Sequence, residues 1–195
     1  MASHFFSPDD INLADFDTLC GQTTQITDYP FANEVQKNIL VYTRSRLIQA
    51  LNQASTTTAL KSELAKCLKD GPGVFAISGA YPDHAVIDKT THAFSAIIKT
   101  EKTAKKGAGD HFGENERIWN AHQKVCLYDP DLYIEYYRNP FIALASEAWL
   151  GPHYQVTTQV NNVKPGAKSQ TSHRDYHLGF QSDKIVAQYP LHVEV

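Results

Sequence analysis

Between Tyr154 and Val163 the side chains alternate with period two: Val156, Thr158, Val160 and Asn162 interleave with Gln155, Thr157, Gln159 and Asn161. Such alternation specifies a strand, because successive residues of a strand point to opposite sides of its sheet. Here both sides carry amides or hydroxyls. An unpaired buried amide costs about 1–3 kcal/mol, so this strand suits a dry core poorly and predicts a barrel wall that lines a wet cavity. Lys164-Pro165-Gly166 follows as a turn and leads into SQTSHRDYHLGF.

The chain has 195 residues, 42% of them apolar and 11% aromatic, enough for one domain with a sizeable core. Its 18 basic and 21 acidic side chains leave a net charge of −3, which offers no general attraction to nucleic acid or to an anionic membrane. The opening MASHFFSPDD lacks the basic start and apolar stretch of a secretory signal. No apolar run approaches the roughly 18 residues that span a bilayer. A soluble, cytoplasmic protein without nucleic-acid or membrane partners is expected. Cys20, Cys67 and Cys126 are odd in number, widely spaced and free of any CxxC pair, which favours reduced packing residues over a disulfide framework or a zinc knuckle.

To about Pro30 the chain mixes Asp, Asn, Thr and Gly without a sustained period and reads as a loose arm. From Phe31 to about Gln53 a helix is predicted, with Val35, Ile39, Tyr42, Leu47, Ala50 and Leu51 near one face. Residues 55–58 then serve as linker and cap for a second helix, whose Leu60, Leu64 and Leu68 form a stripe that Gly71 stops. A short strand follows over residues 74–77. Residues 99–113 have no apolar period and predict a mobile loop; its Lys99, Lys102, Lys105 and Lys106 read as solvated charges or as an attraction for an anionic substrate. Asp129-Pro130 opens a helix, and Asn139-Pro140 breaks and restarts it. Phe141, Leu144, Ala145 and Ala148 line its buried face until Gly151 ends it. Tyr133, Tyr136, Tyr137 and Trp149 read as core aromatics.

Nine histidines are many for this length, and their placement directs attention to chemistry. If SQTSHRDYHLGF is extended, His173, Asp175 and His177 share one face. If it is helical, His173 and His177 pair as in zinc hydrolases. Pro165 and Gly166 upstream, Gly179 downstream and the lack of a Glu directly after His173 disfavour the helix. An extended His-x-Asp offers one imidazole nitrogen and one carboxylate oxygen, two of the three ligands in the two-histidine, one-carboxylate triad of ferrous iron. That triad leaves open positions, which a bidentate oxo acid and dioxygen require. A second such spacing, His192-Val193-Glu194, follows Pro190 and a short helical segment over residues 183–189 that Ser182 caps. It reads as a surface pair. On spacing and context alone, His173 and Asp175 stay open to a metal reading and to an ordinary structural one.

The stretch NVKPGAKSQTSHRDYHLGF places Asn162 ahead of Lys164-Pro165-Gly166 and then His173-Arg174-Asp175-Tyr176-His177. It closely resembles the metal-binding region of the phytanoyl-CoA dioxygenase family of ferrous iron and 2-oxoglutarate oxygenases. Upstream, the strand in GVFAIS and the helix ending in AWLGP look like that family's N-terminal half, so the resemblance covers roughly residues 59–190. It implies an α+β fold in which N-terminal helices pack on a double-stranded β-helix, or jelly-roll barrel. Residues 1–58 would then form an arm and helix, and residues 59–195 the N-terminal part of the oxygenase domain. The resemblance further implies His173 and Asp175 as iron ligands, Asn162 as a hydrogen-bonding partner of 2-oxoglutarate, and Tyr176 and His177 as groups behind the ligands or facing substrate. The implied cofactors are Fe(II) and 2-oxoglutarate, with ascorbate as reductant in an assay; the implied partners are a small-molecule substrate and O2.

The family's distal His, its third ligand, and the Arg that pairs with the far carboxylate of 2-oxoglutarate match no residue of this chain. His192 follows Asp175 too closely to be that His. The chain is therefore expected to be an N-terminal portion of a longer protein, with an incomplete barrel and no activity alone. A truncated, non-catalytic binding or regulatory piece is the competing function, and a zinc hydrolase built on His173 and His177 is a third.

Overall fold

The computed structural model describes residues 12–104, 109–110 and 113–168. The chain divides into two compact units, one of residues 24–168 and one made of the two chain ends. Of the second unit, residues 12–23 are described. They hold α1 (Leu13–Cys20), opened by Asn12, whose side chain accepts from the amides of Ala14 and Asp15 at 2.9 and 3.4 Å. The loose arm expected here thus contains a capped helix, although α1 has no buried residue.

In the larger unit a hairpin joins β1 (Glu34–Gln36) to β2 (Ile39–Thr43) through Lys37 and Asn38, at φ 50° and 67°. Two left-handed residues in succession give the turn whose twist matches that of the flanking strands. This corrects the first half of the helix expected over residues 31–53. Val35, Ile39 and Tyr42 do fall at helical spacing, but Leu40 and Tyr42 are fully buried with Val41 only partly so, and that period of two is the one that forms. The second half stands as α2 (Arg44–Leu51), which buries Leu47 and Ala50.

The next helix, α3 (Ala54–Lys69), starts earlier than expected and takes in residues 55–58. The hydroxyls of Thr57 and Thr58 donate back to the carbonyls of Gln53 and Ala54 at 2.9 and 3.1 Å, which satisfies them within the first turn. Leu60 and Leu64 of the predicted stripe are fully buried. β3 (Phe75–Ser78) pairs in parallel with β2, so the segment from β2 to β3 is a crossover unit and the sheet order is β1-β2-β3.

A long helix, α4 (Ala85–Thr103), buries Val86, Thr90, Ala93, Ile97 and Ile98. It includes Lys99 and Lys102, which corrects the loop expected from residue 99; Lys105 and Lys106 lie outside the described residues. β4 (Gly109–Asp110) and β5 (Gly113–Trp119) follow, then α5 (Ala121–Tyr128), α6 (Pro130–Tyr137), α7 (Pro140–Leu150) and β6 (Gln159–Asn162). The second sheet has the order β4-β5-β6 and is antiparallel throughout.

Asp129 and Asn139 cap α6 and α7 as their sequence signals predict, accepting from the amides of Leu132 and Phe141, each at 2.9 Å. Asn139 is buried and also donates Nδ2–H to the carbonyl of Ala80 at 3.0 Å, tying the α6–α7 elbow to the loop after β3. Gly151, at φ 81°, ends α7. Phe141 and Leu144 are buried, but Trp149 is half-exposed in the last turn, so it is not a core residue.

One core joins Tyr42, Leu47, Leu60, Leu64 and Cys67 with Phe141 and Leu144 of α7. A second joins Ile97 and Ile98 of α4 to Ile118, Ala121 and Val125. Among the described residues the architecture is mixed α/β, with seven α-helices and two three-stranded sheets, neither of them closed. No helix among these residues is long and apolar enough to cross a membrane.

Candidate functional site

The register of β5 and β6 pairs Glu116 with Asn162, Arg117 with Asn161, Ile118 with Val160 and Trp119 with Gln159. Ile118 and Val160 pack on Ile97, Ile98, Ala121 and Val125. By the alternation of a strand, Glu116 and Asn162 share that helix-covered face, and Arg117, Trp119, Gln159 and Asn161 share the other.

At the end of the helix-covered face the Glu116 carboxylate accepts from three side chains: Lys102 of α4, Lys164 Nζ at 2.8 Å and Asn162 Nδ2 at 2.9 Å. The hydrogen bonds from Lys102 and then Lys164 hold its carboxyl at about 2, well under the usual range. On the opposite face Arg117 is buried and donates Nε–H to Asn161 Oδ1 at 2.6 Å, and its guanidinium lies 4.8 Å from the centroid of the Trp119 ring.

Two further side chains fix the ends of this pair of strands. Asn115, also buried, donates Nδ2–H to the carbonyl of Lys168 at 3.3 Å and accepts from the Lys164 amide at 3.2 Å, holding the chain that leaves β6. Thr158, just ahead of β6, caps α5. Its carbonyl accepts from the Ala121 amide at 3.0 Å, and its hydroxyl from the His122 amide at 2.8 Å.

The regular strand is shorter than the period of two suggests, covering Gln159–Asn162. Its polarity is answered by protein groups: Asn162 by Glu116, Asn161 by Arg117 and Thr158 by the first turn of α5. Gln159, Asn161 and Asn162 are also exposed, so solvent reaches this polarity as well.

Asn162 is the sequence-predicted site residue that the structure describes, and its amide is engaged by Glu116. His173 and Asp175, with Tyr176 and His177, lie outside the described residues, as do His192 and Glu194. Among the described residues no group of three or more His, Cys, Asp or Glu side chains could hold a metal ion. Glu116 and Arg117 are not among the residues that the sequence points to, and Lys102, read there as a loop charge, is instead a helix residue bound to Glu116. The available signal was the adjacent pair Glu116-Arg117 ahead of Ile118-Trp119, charges in an otherwise strand-like run. Chemically, two ammonium groups and an amide converge on a carboxylate, a donor set suited to acids. No family model, no curated protein and no solved structure matches the chain.

Proposed function

We propose that this chain contributes to the site of an Fe(II)/2-oxoglutarate-dependent dioxygenase of the phytanoyl-CoA dioxygenase type, on a double-stranded β-helix whose strands include β5 and β6. The observation that carries the reading is the sequence His173-Arg174-Asp175-Tyr176-His177 after a polar strand and a Lys-Pro-Gly turn. His173 and Asp175 supply donor types that suit ferrous iron. The surroundings of Asn162 fit the acid: a carboxylate, that of Glu116, is already held there by Lys102, Lys164 and Asn162. A 2-oxo acid would take the Asn162 amide by displacing Glu116, whose lysines remain as its counter-ions. Bound iron would supply the coupling of 2-oxoglutarate decarboxylation to oxidation of an unactivated C–H bond. The contribution of these side chains is to orient the acid and to keep its charge balanced.

A non-catalytic binding or regulatory role is the second reading, and the engagement of Asn162 by Glu116 favours it. Succinate formation from 2-oxoglutarate, with ferrous iron and ascorbate, separates the two. In any longer chain that adds a distal His and Arg to these residues, His173→Ala and Asp175→Ala would each remove a metal ligand and are expected to abolish turnover. Glu194→Ala is expected to leave it unchanged, and residues 1–195 alone are expected to form no succinate. Full activity in the His173 variant would overturn the dioxygenase reading.

A further inference from the structure

Five rings form a continuous contact series at the border of the second core. Tyr81 stacks on Tyr136 with centroids 5.4 Å apart, Tyr136 meets Tyr137 edge-on at 4.9 Å, and Tyr137 lies 5.2 Å from Tyr133 and 4.1 Å from His122. The series closes on itself, because the Tyr133 hydroxyl is hydrogen-bonded to Nδ1 of His122 at 3.1 Å. At its other end Tyr81 lines an open cleft of about 240 Å³, together with Arg44, Arg138 and Pro140.

The phenols of Tyr81 and Tyr133 differ in what surrounds their hydroxyls. That of Tyr81 donates to the carbonyl of Tyr136 at 2.8 Å, an acceptor that takes no proton. That of Tyr133 faces an imidazole. Burial lowers the pKa of His122, which favours the neutral form of the ring. A neutral imidazole carries one proton, and with that proton on Nε2 its Nδ1 accepts the proton of a phenol. A phenol loses an electron far more readily when its proton has somewhere to go.

We infer that Tyr133 is a redox-active tyrosine, with His122 as its proton acceptor and Tyr81, Tyr136 and Tyr137 as the route by which an oxidising equivalent reaches it from the cleft. An oxidant of the peroxyl-radical class at the cleft gains one electron and a solvent proton and leaves as the hydroperoxide, and electrons pass from ring to ring, leaving Tyr81, Tyr136 and Tyr137 unchanged overall. At Tyr133 the O–H bond breaks and an N–H bond forms at Nδ1 of His122. The products are a neutral phenoxyl radical and an imidazolium. A one-electron reductant of the ascorbate or thiolate class returns the electron, and the proton goes back from Nδ1 to the phenol oxygen. The inference rests on the aromatic cluster alone and holds whether or not iron is bound.

Tyr42 is the natural comparison, since its hydroxyl donates to Glu63 at 2.9 Å. It is fully buried, and its ring partner is Phe75, which offers no redox step.

The test uses the whole 195-residue chain and photo-oxidised ruthenium tris(bipyridine) with persulfate as electron acceptor, read by electron paramagnetic resonance and transient absorbance. The expected result is a phenoxyl radical that Tyr133→Phe removes and Tyr42→Phe leaves in place. His122→Gln is expected to slow its formation by about tenfold, the scale of one ordinary hydrogen bond. Tyr81→Phe should slow it as well. A nitroso spin trap followed by peptide mass spectrometry locates the radical in the unmutated protein, so that a variant that fails to fold does not decide the matter. A trapped radical on Tyr133 supports the inference. An undiminished signal in a folded Tyr133→Phe variant, or trapping on the exposed Tyr128 instead, would overturn it.

Discussion

Glu63 sits inside the first core and Glu116 at the rim of the second, and their carboxyls are pushed in opposite directions. Burial is the largest influence on Glu63 and raises its pKa, opposed by hydrogen bonds from the Phe31 amide at 3.0 and 3.2 Å and from the Tyr42 hydroxyl. The same burial drives the Tyr42 phenol above its ordinary range and lifts the Cys67 thiol to about 11. Around Glu116 two lysines outweigh desolvation, and the carboxyl falls to about 2. The first core therefore holds a polar group whose partners are backbone and phenol, fixed by packing. The second keeps the Glu116 charge on the central strand of its sheet, where its partners are the side chains of two lysines and an asparagine. Structure is concentrated in the one and opportunity for ligands in the other.

The contrast is most exposed to failure in the apolar residues. Leu64→Ala should cost about 2–5 kcal/mol in urea denaturation, because Leu64 is fully buried in the first core and its truncation leaves a cavity there. Lys164→Ala, at the rim, should cost no more than about 1 kcal/mol. A reversal of that order would break the comparison. Next in size is Glu63→Gln, which sets an amide group against the Phe31 amide or the Tyr42 hydroxyl and should cost about 1–3 kcal/mol. A neutral outcome would mean that the buried carboxylate matters less than its solvent-free setting suggests.

The smallest effect is the most diagnostic. The Glu116 carboxyl, lowered to about 2 from an ordinary 4.5, stabilises the fold above the ordinary value and loses that contribution as pH falls through the interval. Glu63 has the opposite sign: its raised pKa favours the folded state below the ordinary value, and the advantage is lost as pH rises through the raised one. Urea midpoints measured across acid pH should thus lose part of their acid-side decline in Glu116→Gln. Glu63→Gln should remove a decline on the rising side. Parallel profiles in the two variants would show that burial and pairing do not separate these sites.

The sequence was legible where a single residue does a single local job. Asp129 and Asn139 cap helices whose first residue is Pro, and both helices begin there. Leu60 and Leu64 announced α3 because nothing else in that stretch competes with a helical face. The hairpin was hidden because Lys37-Asn38 is not a glycine turn and Val35, Ile39 and Tyr42 also satisfy helical spacing. Most of α4 was hidden because Thr90 interrupts its stripe, although its hydroxyl is satisfied by the Val86 carbonyl at 2.8 Å and can be buried. For the candidate site, Asn162 was found but not its partner. Cross-strand register, which pairs it with Glu116, depends on two segments 46 residues apart. Lys102 stands in a stretch without an apolar period, so neither its place in α4 nor its approach to Glu116 is legible in the sequence.

Thr158 joins β6 to α5 through both its carbonyl and its hydroxyl, and this has a consequence for how the region opens. The first amides of a helix ordinarily fray and exchange their hydrogens with solvent ahead of the middle. Those of Ala121 and His122 are held by a residue of the adjoining strand segment. They should therefore exchange together with the amides of β5 and β6, in one opening event, so that the start of α5 behaves kinetically as part of the sheet.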